Sequence, residues 1–200
     1  MPPAPPSASE LLALEPVETY KHDARSRVWR VDHSTGSFVI KRFEYSPLRQ
    51  GLGQWLHLHP AGQEQRAAAW LAQLDIPVVP LLRSGWSQRK RCLVTPTHGP
   101  SLQHTLRHAP PAGHPRLLAA VAPLVRQLID QRVFFKDLKA SNIVLGPNAP
   151  DTLDPKLIDT GSARRGLSPT QRQRMLDMLH QTCQDAGASH ETVGRCLRFD

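Results

Sequence analysis

"FFKDLKASNIVL", residues 134 to 145, sets four polar groups, Lys136, Asp137, Lys139 and Asn142, between two apolar runs. One reading is a plain loop that joins two buried elements, with Asp137 and Asn142 satisfying local backbone groups as Asx turns do. The other is a built site in which a carboxylate and an amide are held five residues apart. The rest of the chain decides between them.

Downstream, "KLIDTGSARR" (156–165) places Asp159 directly after an apolar strand-like run and two residues before Gly161. If Ile143–Leu145 and 156–158 pair as a hairpin, its open ends bring Asn142 and Asp159 together. One carboxylate and one amide oxygen make a sparse oxygen site. Magnesium suits it, because that ion retains waters and takes its other ligands from substrate phosphates. Asp137 is then free to orient or deprotonate a hydroxyl, and Lys139 can meet a transferred phosphoryl group. Gly161 allows a sharp backbone turn after Asp159.

Upstream, "SRVWRV" and "SFVIKRF" flank a polar turn containing Gly36 and read as a β-hairpin. Val39, Lys41 and Phe43 alternate onto one face of the second strand. "AGQEQRAAAWLAQL" (61–74) reads as a helix with Glu64, Ala68 and Leu71 on one stripe. A turn and strand follow in "DIPVVPLLRSGW", and another strand in "RCLVTPTHGP", whose linker at Pro96–Pro100 marks a lobe boundary. Beyond it lie a short helix "SLQHTLRH" and a longer one, "RLLAAVAPLVRQLIDQ", in which Pro123 predicts a kink or a late start. The last helix begins at "SPTQ", where Ser168 caps, Pro169 suits the first turn and Gln171 completes a capping box.

Composition sets the frame. With 200 residues, 40% of them apolar and 21% charged, the chain can build one large domain or two small lobes. "MPPAPPSASE" reads as a short extended tail without the pattern of a secretory signal. The three cysteines form no CxxC pair and read as idle thiols in a reducing compartment. The net charge of +8 favours anionic partners.

These segments, in this order, resemble a known family. "KDLKASN" is similar to the protein-kinase catalytic loop HRDLKxxN, "IDTGSAR" to the DFG segment, and "VIKRF" to the strand carrying the phosphate-binding lysine. Glu64 falls where a helix glutamate pairs with that lysine. Residues 22 to 184 fit, and "EQRAAAWLAQLDIPVVP" (64–80) with the short C-terminal part most resembles the bacterial lipopolysaccharide kinases, the heptose/Kdo kinase and InaA-like branch.

The resemblance implies an α+β, two-lobed protein-kinase-like fold. Its parts would be a Pro-rich tail over 1–19, a small antiparallel β-sheet N-lobe over 20–97 and a short, mainly helical C-lobe over 98–200. It implies an ATP- and magnesium-dependent phosphotransferase acting on a sugar hydroxyl of lipopolysaccharide inner core. Lys41 would hold nucleotide phosphates and Glu64 would orient it. Val39 would touch the adenine, and the backbone at Val94 to Pro96 would meet its edge. Asp137 would be the base, Lys139 would stabilise the transferring group, and Asn142 and Asp159 would bind magnesium. The expected partner is an anionic glycolipid, not a nucleic acid. The expected location is cytoplasmic, or peripheral at the cytoplasmic face of the inner membrane.

The chain departs from the pattern at Phe135 and Lys136, which replace histidine and arginine, at Thr160, which replaces phenylalanine, and at "HDARSRVWRV", which has no glycine-rich loop. A serine/threonine protein kinase and a pseudokinase binding module are the alternatives. His57 with His59, and His104 with His108, have chelating spacings but bring no third ligand, and the four tryptophans read as packing residues. Arg164 and Arg165 read either as a greeting for an anionic acceptor or as a solvated basic loop.

Overall fold

The computed structural model describes residues 6–45, 59–149 and 152–199. The chain divides into two compact units, one of residues 1–68 and 79–97, the other of 69–78 and 98–200.

The first unit is built on a five-stranded antiparallel sheet in the order β1-β2-β3-β5-β4. Its strands are β1 (Glu18–His22), β2 (Ser26–His33), β3 (Gly36–Phe43), β4 (Arg83–Ser87) and β5 (Lys90–Pro96). The β2–β3 hairpin closes at His33↔Gly36, as its sequence predicts. A helix, α1 (Ala8–Ala13), precedes the sheet, with a capping box between Ser7 and Glu10. Residues 8–13 were expected in the extended tail. They are helical because Leu11, only 1% exposed, packs with Trp29, Val31, Phe38, Ile40, Cys92 and Val94 on one sheet face. Gly85 gives α1 clearance, since a Cβ there would stand 3.0 Å from the Ala8 Cβ. The other face carries Val39, Lys41 and Phe43. Phe43 and Leu93 pack there with Ala61 of α2 (Pro60–Gln73).

The second unit contains α3 (Leu102–His108), α4 (His114–Asp130), α5 (Pro169–Gln184) and α6 (His190–Cys196), with strands β6 (Val133–Phe135), β7 (Ile143–Ala149), β8 (Thr152–Leu157) and β9 (Ala163–Arg165). Residues 69–78 belong here rather than with the sheet as expected, because the Pro77 carbonyl accepts from Leu157 N–H at 2.9 Å and Asp75 accepts from Gln127. The alternatives expected at Pro123 were a late start or a kink, and the late start is not what α4 shows. The helix begins at His114 and runs on through Pro123. Proline removes one helix hydrogen bond, but Leu117, Leu118, Val121, Leu124, Val125 and Leu128 all bury on one stripe and hold the helix to its length. The Ser168–Gln171 capping box starts α5 as read. Two glycines let the segment after β5 lie against β7. A Cβ on Gly99 (φ +158°) would stand 2.1 Å from the Leu145 carbonyl oxygen, and one on Gly146 would stand 2.5 Å from the His98 ring.

Candidate active site

Two short ribbons build the polar loop of the second unit. β6 pairs with β9 through Val133↔Arg165 and Phe135↔Ala163, and β7 pairs with β8 through Ile143↔Leu157. The loop 136–142 runs from β6 to β7, and the loop 158–162 runs from β8 to β9. Each loop is therefore flanked by the pairing partners of the other, and the two must lie side by side.

Direct bonds join them. Ile158 N–H donates to the Asn142 carbonyl at 3.0 Å, which sets Asp159 one residue beyond Asn142's partner. Asp137 N–H donates to Ser162 Oγ at 3.1 Å. Asn142 Nδ2 donates to the Asp137 carbonyl at 2.9 Å. Because a carbonyl can only accept, that bond fixes which end of the amide is nitrogen and aims the Asn142 oxygen away from it. Asn142 is buried, whereas Asp137 and Lys139 are half-buried and Asp159 is exposed. The loop also hangs from α5, where Thr182 Oγ1 accepts from Ala140 N–H at 2.9 Å.

Asp159 adopts a left-handed backbone (φ 54°, ψ 46°) at the start of a 3-10 turn over Thr160–Ser162. Aspartate and asparagine tolerate that conformation better than other residues with a Cβ. Phe135 is fully buried, and its N–H faces Met175 Sδ at 3.4 Å. Thr160 is buried as well.

In the first unit, Lys41 Nζ and Glu64 Oε2 form an ion pair at 2.7 Å, with side chains only 18% and 15% exposed. The Lys41 ammonium also lies 5.3 Å over the Phe43 ring. Val39 is half-buried on the Lys41 face. Val94 lies on β5, paired with Ile40 of β3. Its side chain is in the core on the α1 side, and its carbonyl accepts from Leu82 N–H at 3.0 Å. Thr97 N–H bonds the Ser37 carbonyl at 2.9 Å, so the neighbouring Pro96 carbonyl points away from β3.

Arg164 folds back on the Gly161 and Ala163 carbonyls, and Arg165 lies 5.3 Å over the Trp70 ring, so both side chains have local partners. His104 and His108 stack at 4.2 Å instead of opening around an ion, and His57 and Trp55 lie outside the described residues. Trp86, expected to pack, is 47% exposed with Arg91 over its ring.

Ser162 and Thr182 escaped the sequence reading. Ser162 could have been found from its place three residues after Asp159. Thr182, a hydroxyl inside an amphipathic helix, gives no comparable signal.

Asn142 and Asp159 fit the donor chemistry of a magnesium that arrives with phosphates. Among the described residues no cluster of three or more histidine, cysteine or acidic side chains could hold a metal unaided.

Neither the known family models nor the curated proteins contain a match to this chain. Among solved structures, WaaP in complex with acyl carrier protein matches over 95% of this chain and 80% of that one, with a TM-score of 0.59 and 20% identity. In all, 1882 solved chains resemble this one, so the architecture is a widespread one. At 20% identity the likeness speaks for the fold, and the fold is α+β and protein-kinase-like, with its small antiparallel sheet and short helical part.

Proposed function

We propose that this chain is an ATP- and magnesium-dependent phosphotransferase whose acceptor is a sugar hydroxyl of lipopolysaccharide inner core. The observation that carries the reading is the mutual bracing of the two loops, with the Asn142 amide turned by the Asp137 carbonyl and Asp159 set one residue beyond the Asn142 pairing. In such a site Asp137 takes the proton of the acceptor hydroxyl as its oxygen bonds to the γ-phosphorus. The bond from that phosphorus to the β,γ-bridging oxygen breaks, and ADP leaves. Phosphoryl transfer depends mainly on positioning and charge neutralisation, which these residue types supply. Lys41, oriented by Glu64, holds the α- and β-phosphates, and Lys139 meets the charge on the transferring group. Asn142 and Asp159 would hold magnesium, which when bound neutralises phosphate charge. Val39 lies against the adenine, and the Pro96 carbonyl accepts from its edge. The net charge of +8 suits an acidic glycolipid at a membrane surface.

The test has two arms. Magnesium-dependent thermal stabilisation by ATP is expected in the parent chain and lost in Asp159→Ala. Turnover of labelled ATP is expected and lost in Asp137→Ala, with phosphate appearing on purified core glycolipid and not on a casein-like protein. ATP binding without turnover would leave a pseudokinase, and transfer to the protein would leave a protein kinase.

A further inference from the structure

His59 stands at the N-terminal end of α2, the helix that carries Glu64. Its carbonyl accepts the first helical bond from Gln63 N–H at 3.0 Å. Its ring nitrogen Nδ1 accepts from Ala61 N–H at 3.1 Å. A backbone N–H can only donate, so Nδ1 carries no proton and the neutral ring holds its proton on Nε2. This is an N-cap made by imidazole where serine, threonine, aspartate or asparagine is usual. Pro60 at the first helical position suits such a start.

The same ring binds the helix start to the lysine strand. It meets the Phe43 ring edge-on at 5.6 Å and 73° and the Tyr45 ring at 6.4 Å and 86°. Phe43 lies under the Lys41 ammonium and packs with Ala61. Ala61 and Glu64 are three residues apart on α2 and share a face. His59 is 6% exposed, and its Nε2 is buried with no hydrogen-bond partner among the described residues. Among the described residues, the titratable groups facing it are Arg91 on β5 and Tyr45 after β3. Burial, and then the Arg91 charge, hold the imidazole below its ordinary pKa and in the neutral form that the cap requires.

We infer that His59 is a positioning residue. Its neutral ring caps α2 through Nδ1 and ties that helix start to β3, which keeps Glu64 in register with Lys41. The consequence for turnover rests on the kinase reading above, whereas the cap and its effect on the ion pair do not.

Three variants separate this role from space-filling. His59→Asn restores a cap acceptor without the ring, His59→Phe fills the space without an acceptor, and His59→Ala does neither. Loss of one N-cap predicts a roughly tenfold fall in kcat for ATP turnover in the Phe and Ala variants. KM for ATP should stay within about twofold, and the Asn variant should keep kcat within about threefold of the parent. Independently of turnover, imidazole nitrogen shifts should report an unprotonated Nδ1 at neutral pH. Exchange of the Ala61 amide should quicken in His59→Phe and not in His59→Asn. The Lys41 ammonium cross-peak, present while the ion pair holds the amine, should fade in His59→Phe and persist in His59→Asn. Should the Phe variant match the parent in Ala61 exchange and in the Lys41 signal, or should Nδ1 prove protonated, the inference falls. A parent chain that fails to turn over ATP while these spectra behave as described defeats the kinase reading alone.

Discussion

At the scale of single residues, the ion pair of Lys41 and Glu64 is the most enclosed charge contact proposed for the site. Glu64→Gln keeps the shape and removes the charge, and is expected to lower stability by about 1–3 kcal/mol. The loss of ATP turnover should be larger than that stability change alone would produce. Urea titration and initial rates on the same sample check both. The cysteines give a second residue-scale prediction. Burial pushes the Cys92 thiol up to about 11 and the Cys183 thiol up to about 12. Thiolate is the reactive form, so alkylation of the native chain at pH 8 should label the half-buried Cys196 and spare the other two, as read by mass spectrometry. That the three cysteines form no CxxC pair was legible from spacing alone. The supporting hydroxyls of Ser162 and Thr182 were not, because a hydroxyl that accepts a distant loop N–H leaves no period in the sequence.

At the scale of elements, sequence signals succeeded where a local device and a burial pattern agreed. The α5 capping box and the β2–β3 hairpin are such cases. They failed where one local rule was given too much weight. Prolines in the first ten residues suggested an extended tail, yet Ser7 and Glu10 were a readable capping pair and Leu11 had a sheet face to cover. Leu11→Ala should therefore cost about 2–5 kcal/mol in chemical denaturation, a loss that an unstructured tail could not produce. Pro123 likewise did not delay the start of α4, since the buried stripe outweighs one missing hydrogen bond. The β4–β5 turn shows the opposite balance. Gln88 and Arg89 take φ values of 49° and 62° without a glycine, and Gln88 Oε1 accepts from Arg42 Nη1 at 2.9 Å. Arg89→Gly relieves one left-handed residue and should stabilise the chain by up to about 1 kcal/mol, as measured by the denaturation midpoint.

At the scale of the whole molecule, pH acts through groups that fold into fixed protonation states. His59 is held below its ordinary value, chiefly by burial. As pH falls below the unfolded-state value for imidazole, about 6.5, the unfolded chain takes up a proton that the folded ring refuses. Stability therefore drops from there down to the depressed native value. Glu44 acts lower on the scale. Burial raises its pKa, but hydrogen bonds from Lys90 and Arg42 outweigh that and leave it lowered, so its contribution is present above the unfolded carboxylate value and is lost as pH falls through the native one. Melting temperature against pH should show the upper step shrink in His59→Asn and the lower one shrink in Glu44→Gln. The kinase-like fold was legible because four motifs kept their order across a long stretch of chain. The face and the carbonyl that Val94 presents were not legible, because strand register depends on neighbours distant in sequence.

The left-handed backbone at Asp159 divides two selections that usually coincide. A library varied at that codon and sorted for cellular abundance should return asparagine and glycine beside aspartate, since all three sit comfortably at that dihedral. Sorted instead for phosphorylated product, the same library should return aspartate alone. The gap between the two surviving alphabets would measure, at one position, how far chemistry rather than shape has chosen the residue.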